Sequence, residues 1–322
     1  MKINYDQYYR DLYDIYFIPS KYTTVEYSGL YYSSNYELVE NQDIIVRKPH
    51  TIDISHYEII EDPVFYMRYD WSWNYHIHFI ENLPNLFVFL HLKKQYPTLK
   101  LCIQQEWIFL YEELFPLLGL VINPSSCIVS HYNTIYLWKH CLLADYLQVQ
   151  CCNSTKNIDP LQLFFMDWLR SRYTPSVPVH ATSTKKICVL RKNTLAGKKR
   201  YIVNETELID HLRPRGYDFV YFEELRTLKE KVEALWNVSE LIMPLGANMV
   251  NMFFNPLSSI QKLTILVPNG CQDYSSWIFH QLSTFCPNIP NVEKILCEQY
   301  AYDGEGDVFN RPYVIPLDFL KG

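Results

Sequence analysis

Three groups of residues in this chain are of types and spacings that could do chemistry. Arg191 and Lys192 close the apolar run Ile187-Cys-Val-Leu190, and such a cation pair suits a pyrophosphate, because arginine binds phosphate oxygens bidentately. The second group is the stretch Leu241-Ile-Met-Pro-Leu-Gly-Ala-Asn-Met-Val-Asn-Met-Phe-Phe-Asn-Pro256. It reads as a buried strand, a tight turn at Gly246 with Ala247 and Asn248, and a short helix stopped by Pro256. Glycine lets a ligand approach the backbone, and a helix N-terminus attracts anions. Glu223 and Glu224, after another strand-like run, could take ribose or sugar hydroxyls. The third group is Asp70-Trp-Ser-Trp-Asn-Tyr-His-Ile-His-Phe-Ile-Glu-Asn-Leu-Pro84. His78 and Glu81, three apart at a helix start, would share one face as a base and its orienter, with His76 the next candidate and Asp70 the one after.

Each group also has a plain structural reading. Arg191 and Lys192 could be solvated surface charges, the strand–glycine–helix corner simple packing, and either histidine a capping or core residue. His76-x-His78 could chelate a metal, but no third ligand stands at a recognisable spacing.

These residues need elements to position them. Residues 1–70 carry short Tyr- and Ile-rich runs, such as Ile44-Ile-Val46 and Val64-Phe-Tyr-Met67, that read as strands. A helical pattern then runs to Lys94, followed by a strand at 99–103, a helix from Glu106 to Leu118, a strand at 127–129 and a helical segment from Leu161 to Arg172. The domain boundary is placed in the mixed stretch 150–186, giving an N-terminal α/β domain over 1–155 and a C-terminal one over 156–322. Beyond it the pattern is cleaner. A strand at 187–190 leads into a basic loop holding Lys198, Lys199 and Arg200. Asn204 is expected to cap a helix, with Glu207 completing a capping box and Val203 and Leu208 a hydrophobic staple. Arg213-Pro-Arg-Gly216 ends that helix, and Tyr217 to Phe222 alternates as a strand. Leu225, Leu228, Val232 and Leu235 form one face of the next helix, and Leu263 to Val267 is the last strand of the series. This β-α-β-α-β-α-β order implies a parallel, Rossmann-like sheet whose ligands sit at the carboxyl ends of its strands. Arg191, Glu224 and Gly246 all fall there. G-x-G-x-x-G is missing, so the dinucleotide fingerprint is not met.

Composition narrows the classes. The 322 residues, 48% hydrophobic and 20% charged, suit one large or two ordinary globular domains. A net charge of −6 argues against a nucleic-acid partner. No window is apolar enough for a membrane span, and Met1 to Arg10 lacks a signal-like apolar core. The nine scattered cysteines, with Cys151 beside Cys152, are expected to be reduced thiols, and the expected location is cytoplasmic, in a bacterium or, for a viral chain, in the host cytoplasm or virion.

Taken together, Arg191-Lys192, Arg200 with Ile202-Val-Asn-Glu205 and Leu208, the glutamate–leucine helix, and Gly-Ala-x-x-x-Asn-x-x-Phe-x-Pro resemble glycosyltransferase family 61, best over about 187–256 and more weakly over 70–90. The resemblance implies a GT-B fold of two Rossmann-like domains facing a cleft, and an enzyme that transfers a sugar with inversion from a nucleotide-sugar to a glycan, lipid-linked or protein hydroxyl. A UDP-sugar is the favoured donor. By carry-over, Arg191 and Arg200 would meet the donor phosphates, while Gly246, Ala247 and Asn251 would shape the donor pocket. In the N-terminal stretch the family has an Asn–aromatic–His segment before an acidic residue and Leu-Pro, here Asn74, Tyr75, His76 or His78, Glu81 and Leu83-Pro84. The acceptor would lie around Trp71, Trp73, Asn74 and Tyr75. Two departures stand out: the His that usually precedes Gly-Ala is Leu245, and the usual glycine after the Ala is Asn248, which could still offer an amide. No Asp-x-Asp lies near a strand end, so no cofactor and a metal-independent reaction are expected, and a homodimer is allowed for. The rival readings are a non-catalytic nucleotide- or sugar-binding homologue and an aromatic-rich assembly scaffold.

Overall fold

The computed structural model describes residues 3–18, 29–32, 56–67, 74–131, 134–144, 147, 158–173, 185–192, 201–253, 260–299, 311–316 and 318–319. The chain divides into two compact units, Met1–Gln148 with Pro160–Phe165, and Val149–Asp159 with Met166–Gly322. Each mixes helices with a sheet rich in parallel strands.

The first unit contains, in order, β1 (Tyr9–Ile18), β2 (Gly29–Tyr32), β3 (Glu58–Ile60), β4 (Val64–Tyr66), α1 (Tyr75–Ile77), α2 (Leu86–Gln95), β5 (Lys100–Gln104), α3 (Ile108–Leu117), β6 (Cys127–Ser130) and β7 (Tyr136–Ala144). The strands form one sheet in the order β2-β1-β7-β4-β5-β6, with β3 also on β7. From β7 to β6 the neighbours are parallel, while β1 runs antiparallel to both β7 and β2. Leu101, Cys102 and Ile103 of β5 are all fully buried, as expected where a parallel sheet is covered on both faces. The Ile-rich run at 44–46 lies outside the described residues.

The segment expected to be one helix up to Lys94 is interrupted. Between α1 and α2 the backbone widens into a π-helical turn, His78–Asn82, and then tightens into a 3-10 turn, Leu83–Asn85. Pro84 is the cause. It has no N–H to give to Ile80 and its ring would crowd that carbonyl, so the regular ladder cannot pass. Leu83 N–H bonds to His78 O instead, the longer closure of a π turn. The carbonyl of Ile80 accepts from Gln162 Nε2 at 3.1 Å.

The long helix α4 (Pro160–Tyr173) starts in the first unit and ends in the second. The second unit continues with β8 (Lys185–Leu190), α5 (Glu205–Leu212), β9 (Tyr217–Tyr221), α6 (Leu228–Leu235), β10 (Val238–Pro244), α7 (Val250–Phe253), β11 (Lys262–Pro268), α8 (Gln272–Phe285), β12 (Asn291–Gln299) and β13 (Tyr313–Val314). Its sheet has the order β13-β12-β11-β10-β8-β9, and all pairs from β12 to β9 are parallel. The alternating order read from the sequence is therefore met, with β13 added antiparallel at the edge of β12. Counted along the chain, the five parallel strands lie second, first, third, fourth, fifth, the flavodoxin-type winding that reverses direction between β8 and β10. Alternation along the strands splits the core. Cys188, Leu190, Ile242, Leu266 and Cys297 cluster with Leu208 and Leu212 of α5 and with Tyr313 and Ile315. Ile187, Val189, Leu241, Met243, Ile265 and Val267 bury the opposite face.

One local expectation is corrected here. Asn204 does precede α5, but its side chain makes no capping bond to the helix. It is drawn into a tertiary contact instead, donating from Nδ2 to Ile315 O and accepting at Oδ1 from Ile315 N–H, both at 2.9 Å. Val203 is 40% exposed while Leu208 is fully buried, which is not the arrangement of a staple. A capping box is formed at α6 instead: Thr227 accepts from Glu230 N–H at 3.1 Å, and Glu230 Oε2 accepts from Thr227 N–H at 3.0 Å. The left-handed Gly216 (φ 81°) ends the turn after α5, as Arg213-Pro-Arg-Gly216 led one to expect. Among the described residues no helix is long and apolar enough to cross a membrane.

Candidate functional site

In a doubly wound sheet the ligand crevice opens where the winding reverses, outside the carboxyl ends of the strands. In the second unit that place is between the paired strands β8 and β10, which are in register at Ile187↔Leu241 and Cys188↔Ile242. A small pocket lies there, lined by Val189, Leu190, Arg191, Met243, Pro244, Gly246 and Asn248. Arg191, Gly246 and Asn248, singled out separately from the sequence, thus share one pocket.

The way β10 ends explains this shape. Leu245 N–H donates to Leu266 O at 2.9 Å, so the ladder runs one residue past β10 and holds the Leu245 side chain fully buried. Gly246 is extended, and a 3-10 turn, Ala247–Met249, then leads into α7. Asn251 is completely buried and its Nδ2 donates to Asn248 O at 2.8 Å, which braces the turn from behind. Asn248 Nδ2 in turn donates to Glu223 Oε1 at 3.3 Å. Asn251 therefore supports the wall of the pocket, and Glu223 joins the site through Asn248.

Lys192 and Glu224 meet each other. The lysine Nζ forms an ion pair with the Glu224 carboxylate and lies 5.5 Å from the centre of the Tyr221 ring. The ammonium next to Arg191 thus carries a neutralising partner. Arg200 lies outside the described residues.

The residues of the first unit are organised by the π turn. Asn74 Oδ1 accepts from His76 N–H at 3.0 Å and so caps α1. His76 and His78 are fully buried and Glu81 nearly so. The His78 ring stacks on Trp107, with 4.3 Å between centroids and 5° between planes. Asn82 Nδ2 lies 3.4 Å from its Nδ1, and the Tyr111 hydroxyl lies 3.4 Å from its Nε2. Burial takes the His78 pKa down to about 3, so the imidazole is neutral at neutral pH. Tyr75 is half-buried, its ring packed near Phe79 at 5.6 Å and Trp107 at 6.2 Å. Asp70, Trp71 and Trp73 lie outside the described residues.

Three residues of this cluster were not picked out from the sequence. Asn82 reaches the imidazole from four residues further on, the spacing that places two side chains on one helical face, and that spacing was its signal. Trp107 and Tyr111 come from the segment after β5, and their only signal was that Trp107 follows the carboxyl end of a parallel strand.

A family model described as Glycosyltransferase 61 matches residues 76–267, more than half of the chain. The match runs from His76 to Val267 in β11 and includes every residue of the pocket between β8 and β10. It agrees with the resemblance read from the sequence. No curated protein matches the chain.

Proposed function

The chain belongs to glycosyltransferase family 61, and on that premise we propose that it transfers a sugar, with inversion, from a nucleotide-sugar to a hydroxyl of a glycan, lipid-linked or protein acceptor. A UDP-sugar is the favoured donor. The two units would be the acceptor-side and donor-side halves of a GT-B enzyme. The observation that carries this reading is the convergence of Arg191, Gly246 and Asn248 on one pocket at the winding reversal of a flavodoxin-type sheet.

In this proposal Arg191 binds the donor diphosphate bidentately, and Lys192 contributes as the ion pair it forms with Glu224. The turn from Gly246 to Asn248 lets the donor approach the backbone, with Ala247 at its rim and Asn251 holding it from behind. Arg200, by its position in the family pattern, adds a second cation. The acceptor oxygen loses its proton to a base and bonds to the anomeric carbon from the face opposite the leaving diphosphate. The bond from that carbon to the phosphate oxygen breaks, and the cations take up the charge of the departing nucleoside diphosphate.

His76, His78 and Glu81 are the groups proposed for proton transfer. Their roles separate on chemistry. A base works best with a pKa near the working pH, and His78, at about 3 with Asn82 and Tyr111 at its two nitrogens, suits positioning better than proton uptake. The proton then falls to Glu81 or His76. Leu245, where the family usually has His, is fully buried, so the change falls on the packing beneath the turn.

The test is a thermal-shift titration with UDP, GDP, CMP and dTDP, on the native chain and on Arg191→Ala. A ligand at about a hundred times its Kd stabilises a protein by roughly 2.7 kcal/mol. Selective stabilisation by one nucleotide, lost in the variant, is the expected result. No shift with any of the four overturns the donor reading.

A further inference from the structure

Gln104 and Trp107 carry two buried polar atoms that the fold itself does not use. Gln104 ends β5 and is 7% exposed, and Trp107 closes the 3-10 turn Gln105–Trp107 and is 6% exposed. Neither Gln104 Oε1 nor Trp107 Nε1 has a hydrogen-bond partner among the described residues. Buried polar atoms are nearly always paired, so two orphans three residues apart call for an explanation.

Their placement supplies one. Gln104 is the N-cap of that turn, three residues before Trp107, so the two orphan atoms belong to one short segment. They stand at the carboxyl end of a parallel strand flanked by parallel β4 and β6, the edge on which α/β sheets bind ligands. The packing beside them is aromatic: the Trp107 ring stacks on His78 and lies near Tyr75.

We propose that Gln104 and Trp107 form a subsite for a neutral, polyhydroxylated ligand, a sugar ring of the acceptor. The two orphan atoms decide the chemistry. The indole N–H can only donate and the amide oxygen can only accept. A phosphodiester or ionised carboxylate could take the first but has no proton for the second, and an ammonium could serve the second but not the first. A hydroxyl does both, and a sugar ring presents several. The half-buried Tyr75 ring adds an aromatic surface for the C–H face of a sugar. This inference rests on the reading of the first unit as the acceptor side.

The experiment follows the Trp107 indole N–H by nitrogen-15 NMR while neutral methyl glycosides of hexoses and pentoses are titrated into the whole chain, its resonance being assigned through bonds. The expected result is a saturable shift of that resonance with at least one glycoside. In Gln104→Leu, which keeps the bulk of the side chain and deletes its amide, the affinity read from that resonance should fall at least tenfold. In Trp107→Phe, which removes the indole itself, a matching loss should appear by isothermal titration. Gln104→Leu should fold at least as stably as the native chain without glycoside, because it removes an unpaired buried group at nearly constant volume. An indole resonance that no glycoside moves, or one whose response survives Gln104→Leu unchanged, overturns the subsite, as does an N–H held by a water that no glycoside displaces. The two failures are separable. Nucleotide stabilisation with an unresponsive indole sinks the subsite alone. A responsive indole with no nucleotide stabilisation leaves a saccharide-binding chain that is not a transferase.

Discussion

The imidazole of His78 lies flat against the indole of Trp107, 4.3 Å between ring centres, with Asn82 and Tyr111 at its two nitrogens. Burial there favours the neutral ring and lowers its pKa from 6.5 to about 3. Between those two values the unfolded chain binds a proton that the folded chain refuses, so this residue makes stability fall as pH falls through that window. Above 6.5 it contributes no slope. His78→Phe keeps a ring on Trp107 and removes the titration. Urea unfolding at about pH 7 and about pH 4.5 should show the native chain losing up to about 3 kcal/mol more than the variant. Equal losses would mean the imidazole takes its proton without leaving the fold.

Arg170 ties together two helix ends of the second unit. Its Nη2 donates to the carbonyl oxygens of Phe253 in α7 and Phe285 in α8, whose rings stack at 4.9 Å. A cation at two helix C-termini satisfies carbonyls that have no intrahelical partner. Arg170→Ala should cost about 2–4 kcal/mol in urea unfolding, and Arg170→Lys should recover only part, since a compact ammonium does not reproduce the fork. The exposed Asp167 partner matters little, so Asp167→Ala should stay within about 0.5 kcal/mol.

Asn204 and Thr227 both precede helices but should answer differently to substitution. For a true cap, Asn and Asp are nearly equivalent. Asn204→Asp, however, puts a carboxylate against Ile315 O and removes the Nδ2 donor, so a loss of about 1–3 kcal/mol is expected. Thr227→Ala, which deletes a real cap, should cost about 1 kcal/mol. Thermal unfolding of the two variants beside Thr227→Asp, expected to be near neutral, decides the matter.

Glu224 holds Lys192 beside Arg191. If its task is that ion pair, Glu224→Gln removes a negative charge next to the proposed diphosphate site. UDP binding should then tighten about threefold at low ionic strength, a gain that salt screens away. Weaker binding in the variant would instead give Glu224 a hydroxyl of the donor as ligand. Isothermal titration at two salt concentrations distinguishes the two.

Much of the second unit was legible in the sequence because parallel strands buried on both faces are continuous apolar runs. Ile187 to Leu190, Leu241 to Pro244 and Leu263 to Val267 needed no knowledge of their neighbours to be read as strands, and the strand–helix alternation implied the parallel sheet. Arg191, Gly246 and Asn248 could be picked out because position at a strand's carboxyl end is itself a property of the sequence pattern. The long β1 of the first unit was harder to read: its partner β7 lies more than a hundred residues away along the chain, and Tyr and charged residues alternate with few apolar ones.

What only the tertiary structure decided were contacts between residues remote in the chain or displaced by a local defect. Pro84 signals a break in a helix, but that Gln162, 82 residues further on, donates to the carbonyl the break leaves at Ile80 is a matter of packing. Asn204 and Ile315, and Arg170 and Phe285, are joined by bonds that no local pattern encodes. Local periodicity settles which face of an element is buried. Which polar partner meets it there is settled by the packing of the whole unit, because a side chain such as Asn204 has several ways to satisfy its hydrogen bonds and takes the one that the fold brings within reach.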